Sequence, residues 1–261
     1  MTRRWDEMRT DEFAAVDPET WIALLPVAAV EQHGPHLPTG TDTMIVEGVV
    51  DRLAADDRVV VLPTQSVGHS VEHTDFKGTL HQEAETLLAS WSALGAAARA
   101  AGFRKLAIVN SHGGQPQLVD LVAGRLRVHH AMLVARVELF LLGAPEGLFG
   151  DDEIEFGFHG GELETSMILA LRPDLVRTDA LADFENAARW MARDHVELGA
   201  EAPVGFAWQA QDLHPSGATG NAAAADAERG AALLDHLAAR VDALLEDLRA
   251  FPLERLRERP R

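Results

Sequence analysis

Trp21-Ile22-Ala23-Leu24-Leu25-Pro26-Val27-Ala28-Ala29-Val30 runs straight into Glu31-Gln32-His33-Gly34-Pro35-His36-Leu37-Pro38, and Asp42 follows. An apolar run of that length without alternation reads as a strand buried on both faces, as in a parallel sheet. The polar cluster therefore begins where a buried strand ends. In open α/β sheets, ligands bind at the carboxyl ends of the strands. Glu31 and His33 are two apart, so in extended backbone they point to the same side. Asp42 comes after a Pro/Gly-rich turn and opens the next helix. Two carboxylates and an imidazole on one loop can hold a divalent metal. Taken alone, they favour a metal only modestly over a polar strand end with Asp42 as a helix N-cap.

Outward from this stretch, strands and helices alternate. Residues 42–55 carry Ile45, Val46, Val49, Val50 and Leu53 at helical spacing. Residues 58–63 form a short β-branched strand, 83–101 an Ala- and Leu-rich helix, and 105–109 a third strand. A helix over 117–130 leads to a fourth strand over 132–138. Such alternation implies a parallel sheet with right-handed crossovers. Further helices are expected over 5–16, 162–171, 183–198 and 222–250, with 203–220 irregular or short-stranded. Neither a repeat nor a linker divides the chain, so residues 1–261 are expected to form a single domain.

Composition narrows the chemistry. With 23 Lys and Arg against 41 Asp and Glu, the net charge is −18. That argues against nucleic acid and anionic membrane as partners. The chain has no Cys, so disulfides and thiolate sites are excluded and any metal must be held by His, Asp and Glu. A Cys-free chain suits the cytoplasm, the expected location. The first residues lack the apolar stretch of a signal peptide, and no run approaches a membrane span.

A second polar cluster, Asn110-Ser111-His112-Gly113-Gly114, follows the third strand, at the same sheet edge as the first. Glycines beside His112 let backbone approach a ligand closely. Glu31, His33, Asp42 and His112 would together supply two carboxylates and two imidazoles, and Asp42 could bridge two ions through its two oxygens. A third segment, His159-Gly160-Gly161-Glu162-Leu163-Glu164-Thr165-Ser166, opens the helix over 162–171. Glu162 and Glu164 are two apart on a helix and do not share a face. None of the three segments contains Arg or Lys, which argues against phosphate as substrate. His69 and His73 lie on a loop at this edge, where substrate contacts and surface histidines are equally good readings. His36, between two prolines, reads as a turn residue or a hydrogen-bond partner of the site.

These three segments, in this order, resemble the creatininase family, and the resemblance runs from Trp21 to the C-terminal helix. Glu72-His73 through Gly78-Thr79 also resembles a loop of that family, with Lys77 in place of the usual Pro. The resemblance implies a three-layer α/β fold, a mostly parallel central sheet flanked by helices. It implies a metal-dependent hydrolase of carbon–nitrogen bonds in small-molecule amides, cyclic amides or formamides, using a metal-activated water. It further implies two divalent ions per subunit (Zn, Mn or Fe) and assembly as a homo-hexamer. Mapped by motif, Glu31, Asp42 and His112 would hold one ion and His33 with Asp42 the other, while His159 would act as acid and base. Creatininases proper carry a Tyr-Glu pair after the second-motif histidine, where this chain has Gly113-Gly114. The Gly-Gly form resembles other branches, including formamide deformylases and peptidases of peptide-modification pathways. Creatinine is thereby put in doubt, and Glu164 is the natural replacement ligand, with a hydrogen-bonding role as its alternative. Two further alternatives are a non-catalytic metal-binding or scaffold member of the family and a peptidase acting on a small modified peptide.

Overall fold

The computed structural model describes residues 2–201 and 203–257; Met1, Ala202 and residues 258–261 lie outside it. Among the described residues, five strands form the main sheet: β1 (Arg3–Arg4), β2 (Ile22–Val27), β3 (Val59–Val61), β4 (Lys105–Asn110) and β5 (Leu133–Glu138). In space their order is β1-β3-β2-β4-β5, and every neighbouring pair is parallel. The apolar run that opened the sequence argument is the central strand β2, buried along its whole length and paired with β4 from Ile22↔Lys105 to Val27↔Asn110. Pro26 is tolerated there because its missing N–H falls on the β3 side, where the ladder stops at Leu24↔Val61.

Alternation of side chains along β2 builds two cores. Ile22 and Leu24 pack with α1 (Thr41–Val50), α5 (Glu162–Leu171) and α8 (Ala227–Ala250). Ala23, Leu25 and Val27 face the other way, onto α2 (Ala84–Ala100) and α3 (Pro116–His130). The expected three-layer, mostly parallel α/β fold is thus the one found. Each large aliphatic side chain so buried stabilises by about 1.5–3 kcal/mol. After β2 the chain crosses to α1 on one face; after β4 it crosses to α3 on the opposite face. The loops leaving these two adjacent strands therefore diverge and open a crevice, the topological switch point of an open α/β sheet. At the far end of β4, the buried Lys105 donates from Nζ to the carbonyls of Arg249 (2.8 Å) and Phe251 (2.7 Å), capping α8 with a cation.

Some expectations change. Residues 5–16 form two 3₁₀ turns, Trp5–Glu7 and Thr10–Ala15, rather than one α-helix. The helix expected over 183–198 is confined to α6 (Ala188–Asp194). Before it, β6 (Asp183–Phe184) pairs antiparallel with β7 (Gly220–Asn221). The loop after β5 contains an unforeseen short helix, α4 (Asp151–Phe156), and 203–220 contains α7 (Ala210–Leu213). No helix among the described residues is long and apolar enough to cross a membrane.

Candidate metal centre

Glu31, His33, Asp42, His112, His159 and Glu164 are all buried at the carboxyl edge of the sheet. Each arrives by a different route. β2 ends at Val27 and the backbone beyond it is irregular, so Glu31 and His33 are set by the closed turn, in which Glu31 N–H donates to the Thr39 carbonyl (2.9 Å), and not by strand alternation. Asp42 lies in the first turn of α1, where the helix dipole favours a carboxylate. Ser111 Oγ donates to its carbonyl oxygen (2.9 Å) and ties the two loops of the crevice together. His112 is fixed by Asn110, whose Oδ1 accepts the His112 N–H (3.1 Å) and whose Nδ2 donates to the His112 carbonyl (2.7 Å). Glu164 sits in the first turn of α5 and accepts the Gly160 N–H (2.5 Å). Glu162 points away, to Arg229, as the two-residue spacing required. Gly160 has φ +63, a conformation that only glycine adopts readily, and it carries the chain from His159 to α5.

Asp42 divides its two oxygens between two imidazoles. Oδ1 lies 3.1 Å from His33 Nε2, and Oδ2 lies 3.4 Å from His112 Nδ1. Glu31 Oε1 is 3.1 Å from His112 Nδ1, and Glu164 Oε2 is 3.8 Å from His33 Nε2. Two donor sets result, Glu31–Asp42–His112 and His33–Asp42–Glu164, each with ligand atoms within 4.8 Å of one another. Two further sets of the same compactness are Glu31–His33–His159 and Glu31–Glu72–His73. His33 Nδ1–H donates to the Glu31 carbonyl (3.1 Å) and His112 Nε2–H to the His69 carbonyl (2.9 Å). The opposite nitrogen of each ring is thereby turned to the carboxylates, as in histidines that ligate metals. Glu31 Oε2 and Asp42 Oδ2 are buried and accept no hydrogen bond. Buried carboxylate oxygens without donors are costly, and a cation between them would satisfy both. The residues present fit a divalent ion.

The electrostatics agree. Burial disfavours a charged His33, but Asp42, through charge and hydrogen bond, and then Glu164 and Glu31 override it and raise its pKa to about 10. Burial likewise opposes charge on His112, and Glu31 and Asp42 raise it well above its ordinary value. Asp42 is lowered to about 2, against burial, chiefly by the charge of His33. Burial lifts Glu164 to about 7. His159 goes the other way: burial, then the charges of His33 and His73, hold it well below the ordinary imidazole range. Its Nε2–H donates to the Gln32 carbonyl (2.5 Å), so its Nδ1 faces Glu31 Oε1 at 3.8 Å. The ring lies between those of His33 and His73, with centroids 4.1 and 4.2 Å away.

Sequence reasoning underrated two neighbours. Glu72 and His73 are buried, and His73 Nε2 stands 3.4 Å from Glu31 Oε1. Their signal was position alone, on a loop after β3 at the crowded edge. His36 is a fastener: its Nε2–H reaches the Gly160 carbonyl (2.9 Å) and Thr165 Oγ1 (3.0 Å), joining the first loop to α5. Trp208 packs in a satellite cluster with Ala188, Ala200, Leu213 and the partly buried Phe156 and Phe158.

Comparison with known proteins adds a family context. The creatininase family model, described as creatinine amidohydrolase, matches residues 6–245. The mycofactocin precursor peptide peptidase of Mycobacterium ulcerans (strain Agy99) is 32% identical over 175 residues, 63% of this chain and 64% of that protein. The match thus spans somewhat less than two thirds of that relative's length. The protein of the same description from Mycobacterium tuberculosis (strain ATCC 25618 / H37Rv) is 30% identical over 237 residues, 84% of this chain and 83% of its own. A solved structure described as creatininase with Mn superposes with a TM-score of 0.74 at 22% identity, covering 95% of this chain and 98% of that one, a likeness of fold.

Proposed function

Because the chain belongs to the creatininase family, we propose that it is a metal-dependent hydrolase cleaving carbon–nitrogen bonds of amides, cyclic amides or formamides. The observation that carries this reading is Asp42, whose two buried oxygens each face a different imidazole. Glu31, Asp42 and His112 would hold one divalent ion and His33, Asp42 and Glu164 a second, drawn from Zn, Mn or Fe. Such an ion supplies Lewis acidity and lowers the pKa of water from about 16 to about 7. The chain's own residues do the rest. His159, neutral and with Nδ1 turned into the site, accepts a proton as water adds to the carbonyl carbon. It delivers that proton to the nitrogen as the carbon–nitrogen bond breaks. Positioned acid–base groups of this kind contribute about 10²–10⁴-fold.

The test is metal analysis of the purified protein together with an amide panel, on wild type and Asp42→Asn. The expected result is divalent metal and amide turnover in wild type, both lost in the variant. No divalent metal after reconstitution would end the reading; metal without any turnover would favour a binding or scaffold role. Creatinine is expected to be a poor substrate, because Gly114 stands where the resemblance places a glutamate. Robust creatinine turnover, equal to that of the best amide, would refute this. A second reading, a peptidase of small modified peptides, is favoured by the two mycobacterial relatives; short peptides in the same panel separate it. We read the working form as a cytoplasmic homo-hexamer. The family resemblance supports this reading. Light scattering on the purified protein checks the assembly.

A further inference from the structure

Four imidazoles meet at this centre, and the groups behind them are not alike. His33, His112 and His159 each give a ring N–H to a backbone carbonyl: those of Glu31, His69 and Gln32. A carbonyl can only accept, so the proton is fixed on the outer nitrogen and the inner one is left for a ligand or a proton. His73 is held from the opposite chemistry. Its Nδ1 lies 2.8 Å from Nε2 of the Gln32 side chain.

Which end of the Gln32 amide faces His73 is decided by two backbone groups. Gln32 Nε2 also donates to the Gly217 carbonyl (2.9 Å), and its Oε1 accepts the Gly34 N–H (2.8 Å). Flipping the amide would set oxygen against the Gly217 carbonyl and NH₂ against the Gly34 N–H, losing both bonds. Gln32 is buried, so water cannot compensate. The amide therefore presents a donor to His73 Nδ1. That nitrogen must accept, and the ring proton sits on Nε2. This Nε2–H faces Glu31 Oε1 at 3.4 Å and Glu72 Oε1 at 3.8 Å. The compact set Glu31–Glu72–His73 is thereby disarmed as a metal site, because its imidazole offers a hydrogen where a ligand needs a lone pair.

We propose that Gln32 is a positioning residue: it holds His73 in the Nε2–H tautomer, keeps it out of the metal shell, and turns its N–H toward the Glu31 and Glu72 carboxylates. The assignment of a metal shell rests on the function proposed above; the tautomer does not. The sequence hides this division, since four histidines of equal standing are sorted only by what lies behind each ring.

The experiment is long-range ¹H–¹⁵N NMR on histidine-labelled full-length protein, in which protonated and unprotonated ring nitrogens resonate far apart. His73→Gln identifies the His73 signals by their loss. Wild type is expected to show His73 protonated at Nε2 only, both without metal and after reconstitution with Zn²⁺. Gln32→Glu replaces the donor with a group that only accepts, and is expected to move the proton to Nδ1. The same variant, with Nε2 freed beside Glu31 and Glu72, is expected to bind one more Zn²⁺ per chain than wild type. Gln32→Met, isosteric but mute, is expected to leave a mixture of tautomers. Protonation of His73 at Nδ1 in wild type overturns the proposal, and needs no variant to fold. So does an unchanged tautomer in both Gln32 variants. Metal analysis of the same wild-type samples keeps the two ideas apart. A metal-free protein with His73 in the Nε2–H form would sink the hydrolase reading alone, and a metal-loaded one in the Nδ1–H form would sink the tautomer alone.

Discussion

Adding one methyl at Gly114 tests how tightly the centre is built. A Cβ on Gly114 would stand 1.8 Å from Glu72 Oε1 and 2.6 Å from His112 Nε2. Ordinary contact begins near 3.4 Å, so Glu72 must retreat by 3.4 − 1.8 = 1.6 Å and His112 by 3.4 − 2.6 = 0.8 Å. Glu72 can swing, since the contacting oxygen is the far end of a flexible side chain. His112 cannot move freely: Nε2 is tied to the His69 carbonyl at 2.9 Å and Nδ1 stands 3.1 Å from Glu31. Gly114→Ala is therefore expected to destabilise by about 1–3 kcal/mol, the range for overpacking a filled interior. Metal–ligand distances tolerate only about 0.2 Å, and disturbing a ligand's support typically costs about 10–100-fold in metal affinity. Urea unfolding gives the first quantity, and chelator competition with Zn²⁺ gives the second. A Gly114→Ala protein with wild-type stability and Zn²⁺ affinity would show that Glu72 and His112 are not packed as described, and the argument would fall.

Other outcomes follow from the same geometry. Metal binding should release protons: His33, raised to about 10, and His112, raised well above its ordinary value, are protonated at neutral pH without metal and must lose a proton each to ligate. Affinity should therefore rise with pH from neutrality toward about 10, with up to two protons released from the histidines and a fraction of a third from Glu164, lifted to about 7. Calorimetry in buffers of different ionisation enthalpy measures this, and zero release contradicts it. His159→Ala should keep its metal and lose turnover by about 10²–10⁴-fold; a lower metal content restored by excess ion would instead place His159 among the ligands. Lys105→Met removes two charge-assisted bonds to the end of α8 and should cost up to about 3–6 kcal/mol by urea unfolding, at about 1.5–3 kcal/mol for each hydrogen bond to a charged group. A cost below about 0.5 kcal/mol would mean that water caps this helix equally well.

What the chain reveals before folding depends on whether the information is local. β2 is a continuous apolar run and β4 one from Leu106 to Val109, and α5 spans the expected 162–171, bounded by Gly161 and Pro173. β1 and β6 are two residues long, and their pairing is set by partners far along the chain, Val60–Val61 and Gly220–Asn221. No pattern over two residues can announce them. The same holds in the centre. Glu31, His33, Asp42, His112, His159 and Glu164 lie in three recognisable segments, and folding brings them together. Glu72 and His73 were undervalued because their burial is tertiary: the loop is pinned by Leu80 N–H to the Val30 carbonyl (2.8 Å) and Gln82 N–H to the Gly68 carbonyl (3.0 Å). Nothing local to Gln32 announces its role, since its partners His73 and Gly217 are 41 and 185 residues distant.

The crevice between the loops after β2 and β4 has a consequence for the order of assembly. Its donors come from the loop after β2, from α1 and α5 on one face of the sheet, and from the loop leading to α3 on the other. Glu31, His33 and Asp42 share one stretch of chain, but each donor set is completed from a distant segment, by His112 or by Glu164, so the two-ion centre is whole only in the folded chain. An ion cannot nucleate this fold as zinc does in a finger; it can only lock a fold already made. Loading should leave the refolding rate unchanged and slow unfolding, because contacts absent from the transition state act on the unfolding limb alone. A protein built this way would keep its architecture when stripped by a chelator and lose chiefly its lifetime.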